Sequence, residues 1–448
     1  MYFQRLQSHF SSTGLLLLSS FLSGVILTIV YLQRLSILFP IENLPRPSNC
    51  PPSVGSTSIH RSVFDGCGTW QEDYIKRHRA ILNGELSPRY LVSVSTEGGL
   101  ADRLTGTMTE FMFALLTGRA FQIITYGTLP RFEAAFSSPH INWSRPCDDD
   151  RLIDNLKYTY RGQRGYTGNR SYSSGINTNV YWPMFWVNND PEVEFFLSSN
   201  VSKHPFDHEN VTILFIASNR GRIIRLFDNP YHRTQLFRLG LRPETALKCL
   251  FNFLFSPSDA LRRAMRREFT TLQATDVLKI SINVRVGDSV FDPAYDDLTT
   301  TLLPYEPFFN CALQIEEFAR LPNQRVVWYF TSDSLRLRQL VKQKYGDKVL
   351  TEEKLRYVHG DCGDFAAKRY GNCTREAHDF SIRMAAGQIY AMSMCDYHVV
   401  SLMSGFGRFA AVLSHYWHNV YQVHTGNRYC TLADFESLEK ITLLGSGI

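Results

Sequence analysis

The sequence predicts an α/β protein built from two Rossmann-like, doubly wound parallel domains facing a cleft, behind a membrane-spanning N-terminal segment. Three observations carry this expectation. Strands alternate with helices from Leu278 to Val423, the signature of a parallel sheet covered on both faces. A β-α-β unit with a glycine turn runs from Tyr90 to Tyr126. The run Leu15 to Leu32 carries no charge.

At 448 residues the chain exceeds one ordinary core, so two domains are expected. Hydrophobic residues at 44% and charged residues at 20% describe a folded globular body. The net charge of +5 gives no reason to invoke nucleic acid, and it is compatible with a local basic site for an anion.

Leu15 to Leu32 rises about 1.5 Å per residue as a helix and nearly crosses a ~30 Å hydrocarbon layer. Arg5 precedes it and Arg34 follows it, so charge asymmetry does not orient it. A cleaved signal peptide is the alternative, although a clear small-x-small cleavage site is missing. The sequons at Asn142, Asn169, Asn200, Asn210 and Asn372 and all 9 cysteines follow this run. Both features suit an oxidising lumen, with Cys362 and Cys373 the nearest pair and at least one thiol left over. The expected order is a cytosolic tail (1–14), a signal anchor (15–32), a proline-rich stem (33–61), an N-terminal domain (62–272) and a C-terminal domain (273–448).

In the first domain, Tyr90 to Val94 reads as a strand and Gly98-Gly99 as a tight turn. Leu100 to Thr117 reads as a helix, with Leu104, Met108, Phe111, Met112 and Leu115 at helical spacing and Gly118 as its C-cap. Phe121 to Tyr126 is a second strand. Residues 130–270 are aromatic-rich and irregular, with strands expected near Val180 to Val187 and Val211 to Ile216.

In the second domain, strands are expected at Leu278 to Val286, Arg325 to Thr331, Lys348 to Leu350, Tyr397 to Ser401 and Val420 to Val423. Helices are expected at Tyr305 to Arg320, Ser334 to Tyr345 with Asp333 as N-cap, His378 to Met394 and Gly407 to His415. The segment between Leu350 and His378 reads as a flap.

Four segments are candidates for chemistry. Ile280 to Asp288 is an apolar strand ending in Arg285-Val286-Gly287-Asp288. Ligands of open parallel sheets bind at such strand ends, and an arginine fork holds two phosphate oxygens at once. The bland alternative is an arginine paired with a structural carboxylate. Glu97-Gly98-Gly99 opens a helix whose amides can hold an anion, with Arg103 one turn on and Glu97 at the strand mouth. Asp102 there can equally complement the helix dipole. Thr331-Ser332-Asp333 offers hydroxyls and a carboxylate to a ribose or a base, or caps a helix. Ser404-Gly405-Phe406-Gly407 can cradle a pyrophosphate, or serve packing alone.

Asp148 to Asp150 is of the kind that can hold a divalent metal on a nucleotide-sugar, but it follows no buried apolar strand and reads as a solvated helix start. The 13 histidines show no HExxH spacing, so no catalytic metal is expected.

Taken in order, these segments resemble the fucosyltransferase superfamily. Gly98 to Leu104, followed by Ala114-Leu115-Leu116-Thr117-Gly118-Arg119-Ala120-Phe121, is similar to plant xyloglucan-type fucosyltransferases. Asn283-Val284-Arg285-Val286-Gly287-Asp288 resembles a motif shared with O-linked and α-1,6 fucosyltransferases. Phe330 to Asp333 and Asp396 to Gly407 resemble two later motifs. The likeness covers about residues 90–425. Asn283 stands where many members have His, Asp102 replaces Asn, and Gly405 replaces Thr.

The resemblance implies a GT-B fold and a Golgi type II enzyme. It would move fucose from GDP-fucose to a glycan acceptor, with inversion and without metal. Arg285 would stabilise the departing diphosphate, assisted by Ser404 and the amides of Gly405, Phe406 and Gly407. Thr331 and Asp333 would lie near the nucleotide, with Gly98, Gly99, Arg103, Asn283 and Gly287 completing the donor site. Glu97 is the expected base and Asp288 the alternative, unless Asp288 only orients Arg285. Another nucleotide-sugar donor, or an inactive glycan-binding relative, are the rival readings. The acceptor, its linkage and the oligomeric state are not encoded legibly.

Overall fold

The structure is a computed structural model describing residues 66–95, 99–125, 130–144, 197–203, 207, 211–218, 221, 223–357, 374–401, 404–414, 418–423 and 430–432, and the backbone of strand 180–186. All belong to one compact unit, Ser53–Ile448. The run Leu15 to Leu32, the aspartates Asp148 to Asp150 and the Cys362/Cys373 pair lie outside the described residues. Among the described residues no helix is long and apolar enough to cross a membrane.

The strands are β1 (Tyr90–Ser95), β2 (Ala120–Thr125), β3 (Phe136–Ser137), β4 (Val180–Trp186), β5 (Ile213–Ser218), β6 (Ser256–Pro257), β7 (Val277–Val284), β8 (Arg325–Ser332), β9 (Val349–Leu350), β10 (Tyr397–Ser401), β11 (Val420–Val423) and β12 (Cys430–Leu432). The helices that position the site are α1 (Trp70–Leu82), α2 (Leu100–Thr117), α3 (Pro243–Leu254), α4 (Pro293–Thr299), α5 (Glu306–Ala319), α6 (Leu335–Tyr345), α7 (Arg375–Ser393) and α8 (Gly405–Leu413).

Two parallel sheets form, as the alternation of strands and helices predicts. The first has four strands in the order β2-β1-β5-β4. Pro183 has no N–H for a ladder, which suits β4 to the sheet edge, and its register shifts between Tyr181 and Met184. The second sheet has six strands in the order β12-β11-β10-β7-β8-β9, antiparallel only at β11–β12. Here β7 lies between β8 and β10, so its C-terminal end meets two other strand ends.

Helix α2 has the bounds its periodicity predicts, and Gly118 caps it with φ 66° in the left-handed region. It is buried almost all round because it touches β1 and β5 on one side and α3 and α8 on the other. One apolar core therefore runs continuously from Leu91 and Phe121 through Phe111 and Phe251 to Phe409 and Val400. A second core, around Ile282, Phe309, Trp328 and Phe330, fills the far face of the second sheet.

Two differences from expectation have local causes. Ser334, not Asp333, caps α6 by accepting from Leu337 N–H, because Asp333 turns back toward β7. Helix α8 begins at Gly405, two residues early, because the Ser404 hydroxyl supplies its N-cap. Helices α1, α3 and α4 had no assignment, although Pro243 at the first position of α3 and Ala246, Leu247, Leu250, Phe251 and Leu254 behind it carry the signal. Disulfides join Cys67 to Cys249 and Cys311 to Cys430, and Cys395 is a buried free thiol.

Arg119 shows how the first sheet is held. It is 0% exposed, and Asp207 accepts from its Nη2 at 2.5 Å and its Nε at 2.9 Å. Its Nη1 donates to the carbonyls of Tyr90 and Val211 at the start of the sheet. Burial lowers the Arg119 pKa and the Asp207 charge opposes that shift. Removing Asp207 leaves a buried cation without its counter-charge. Asp207→Ala is therefore expected to cost about 3–5 kcal/mol in urea-monitored unfolding; a loss under about 1 kcal/mol would contradict this.

Candidate active site

The strand end at β7 is built around one carboxylate. Asp333 accepts from the N–H groups of Val286 at 2.8 Å and Gly287 at 3.0 Å. Its Oδ2 also lies 3.0 Å from Arg285 Nη1. Gly287 adopts φ 128°, which a side chain rarely does, and this lets its amide face Asp333. Asp288 forms a second ion pair with Arg285, and the backbone N–H of Arg285 donates to Ser401 Oγ at 3.1 Å. The Arg285 side chain remains 40% exposed while that of Asp333 is 6% exposed. One arginine is thus oriented by two carboxylates and still reaches solvent, with Phe291 beside it at 5.7 Å.

Beneath this turn lies a buried polar network. Asn283 is 5% exposed; its Nδ2 donates to Thr331 Oγ1 at 2.9 Å and its Oδ1 accepts from Ser404 Oγ at 3.0 Å. The Ser404 hydroxyl also accepts from Gly407 N–H at 3.4 Å. The Thr331 hydroxyl donates to Met392 sulfur at 3.5 Å. A Cβ on Gly407 would sit 2.4 Å from Asn283 Oδ1, so only glycine lets α8 start this close to β7.

The side chains of Asn283, Thr331 and Ser404 are therefore occupied under the site. Both ends of the Asn283 amide have a partner, and each hydroxyl is buried in the ladder. Gly407 is likewise a packing requirement. Within α8 the N–H groups of Gly405 and Phe406 have no intrahelical partner, because they belong to the first turn. Phe406 itself leans on the central core.

The glycine turn after β1 is described from Gly99 onward, and Glu97 and Gly98 lie outside the described residues. Gly99 is the N-cap of α2, and its carbonyl accepts from Arg103 N–H at 3.0 Å. Arg103 is enclosed by its neighbours. It is 2% exposed, donates to Ser95 Oγ at 2.7 Å and the Pro130 carbonyl at 2.8 Å, and stacks on Phe132. These contacts seat the start of α2.

Two features escaped sequence reasoning. Arg408, one turn into α8, is 3% exposed and donates to the Ser404 carbonyl. Burial lowers its pKa to about 10, and the charge of Asp102 works against that shift. The only signal for it was a cation four residues past Ser404. Asp296 in α4 is fully buried and accepts from Thr300 Oγ1, Arg336 N–H and Arg356 Nη1 at 2.9, 3.2 and 3.0 Å, and from the Ser334 hydroxyl. It fastens the excursion after Asp288 to the start of α6, and nothing local in sequence announces that. Among the described residues no group of three His, Cys, Asp or Glu could hold a metal ion.

No family model matches the chain. Among curated proteins, Probable fucosyltransferase 9 of Arabidopsis thaliana is 24% identical over 260 residues, covering 55% of this chain and 53% of that protein. Probable fucosyltransferase 7 of the same plant is 23% identical over 335 residues, covering 71% of this chain and 60% of that protein. The chain thus spans between half and two thirds of the length of these relatives. Among solved structures, an arginine-to-lysine mutant of Arabidopsis thaliana FUT1 in complex with GDP superposes with a TM-score of 0.53 at 16% identity, covering 83% of this chain and 80% of that one. The superposition shows a shared fold, and the curated matches bear out the resemblance to the fucosyltransferase superfamily.

The packing of α8 on β7 generates a direct expectation. Gly407→Ala must displace Asn283 from Ser404 and Thr331, costing about 1–3 kcal/mol of stability for a buried amide left unsatisfied. Thermal unfolding of Gly407→Ala and Asn283→Ala, singly and together, checks this. The double variant should lose clearly less than the two singles summed; strict additivity would contradict it.

Proposed function

We propose that this chain is a glycosyltransferase of GT-B architecture that moves fucose from GDP-fucose to a hydroxyl of a glycan. The observation that carries the reading is Arg285: a solvent-reaching guanidinium at a parallel-sheet strand end, oriented by two carboxylates, two residues past the Asn283 that bonds the capping Ser404 of α8. Ligands of open α/β sheets gather there, and a helix start favours a phosphate. Similarity to the plant fucosyltransferases supports fucose, and a superposable structure in complex with GDP supports the nucleotide.

The chemistry follows from what must depart. The acceptor oxygen attacks the anomeric carbon, the bond from that carbon to the diphosphate breaks, and the electron pair leaves with GDP. An in-line attack inverts the carbon. The growing charge on GDP needs preorganised donors, which Arg285 and the amides of Gly405 and Phe406 supply. The acceptor proton needs a base. Glu97 is our assignment, because Asp288 is engaged with Arg285. Asp333 and Asp288 act through Arg285 by fixing its orientation.

The same reading makes the protein a type II Golgi membrane protein with Leu15 to Leu32 as signal anchor and the enzyme body in the lumen. The uncharged run supports the anchor. The disulfides at Cys67–Cys249 and Cys311–Cys430 suit an oxidising compartment.

In thermal-shift measurements on the full chain in mild detergent, GDP should raise Tm, with or without EDTA, while UDP and CMP should not. Arg285→Ala should keep its own Tm within a few degrees and weaken GDP at least about tenfold, the scale of a lost charge-assisted pair. Stabilisation by UDP that EDTA abolishes would overturn the reading and direct attention to Asp148 to Asp150.

A further inference from the structure

One carboxylate lies beside the glycines at the starts of two helices. Asp102, in the first turn of α2, has Oδ2 3.5 Å from where a Cβ on Gly99 would stand. Its Oδ1 is 3.7 Å from where a Cβ on Gly405 would stand. The carboxylate therefore sits against the cap of α2 and the start of α8 together. Arg408, one turn along α8, is within electrostatic range of it.

An anion at a helix start is stabilised by the partial positive charge and open amides there. Asp102 is a carboxylate of the chain itself lying close to two such starts. Under the donor reading above, on which this inference rests, the departing diphosphate must approach the same amides of Gly405 and Phe406. Two anions then share one electropositive spot, with the buried Arg408 compensating only one of them.

We propose that Asp102 is an internal competitor of the donor diphosphate, lowering nucleotide affinity and favouring release of the product over release of the donor. The discrimination follows from charge. In GDP-fucose the terminal phosphate is a diester; in GDP it is free and carries close to one more negative charge at pH 7. Repulsion by a fixed carboxylate at a few ångströms therefore acts more strongly on the product than on the donor. It has nothing to act on in guanosine, which carries no phosphate.

The test is calorimetric titration of full-length protein in detergent with GDP, GDP-fucose and guanosine, at low and at 0.5 M salt, roughly a Debye length of 4 Å in the latter. Asp102→Asn is expected to tighten GDP about tenfold at low salt, GDP-fucose less, and guanosine not at all, with the gain shrinking in salt. Asp102→Ser, which keeps a small polar group in the first turn of α2, should move GDP in the same direction. Should one variant fail to fold, the other decides. Unchanged or weaker GDP binding, in protein whose wild type binds GDP, overturns the competitor role and leaves the donor reading standing. So does equal tightening of GDP and guanosine. Absence of GDP binding by the wild type removes the donor reading, and this inference with it.

Discussion

The candidate site depends on a buried amide having both ends satisfied. Asn283 sits at the end of the central strand of the second sheet, where it opposes Thr331 on one side and Val400 on the other. Burying an amide without partners costs about 1–3 kcal/mol. The chain meets that requirement by bringing the Thr331 hydroxyl from β8 and the Ser404 hydroxyl from the start of α8. Once Ser404 is fixed there, α8 must begin at Gly405, and residue 407 must be glycine. The position of the helix start relative to Arg285 is a consequence of that hydrogen-bond ladder. Asn283, which departs from the superfamily pattern, fills a structural place in this ladder.

Carboxylates outnumber cations around the strand ends. Arg285 is outnumbered by Asp288 and Asp333, the buried Arg408 faces Asp102, and these five groups together carry one net negative charge. Bare side-chain charge therefore offers an anion little net attraction. What remains unspent is the exposed portion of the Arg285 fork and the amides at the start of α8. A site of this kind selects a ligand by geometry more than by total charge, since the carboxylates hold the donors in place and also repel anything poorly aligned.

Much of the architecture was legible in sequence, and the reasons are local. Helix α2 reads correctly to the residue because its apolar spacing, glycine start and glycine end all agree. The strands β10 and β11 read correctly because short β-branched runs are bounded by turn residues. Arg285 was identifiable as the end of an apolar strand. The roles of its neighbours were not. Asp333 reads as a helix cap, and only the tertiary turn that brings Val286 and Gly287 to it reveals a clamp. Arg103 reads as a cleft residue, yet Pro130 and Phe132 arrive from further along the chain to enclose it. Asp102 and Arg408 meet across about 300 residues, and no periodicity encodes such a meeting.

The most direct test of the central claim is a crystal structure of the protein with GDP bound. The account predicts diphosphate oxygens at about 2.7–3.1 Å from the Arg285 guanidinium and from the N–H groups of Gly405 or Phe406. It also predicts Asn283 still bonded to Thr331 and Ser404 beneath them. A GDP whose phosphates lie away from the β7 end, with Arg285 left only to Asp288 and Asp333, would contradict it.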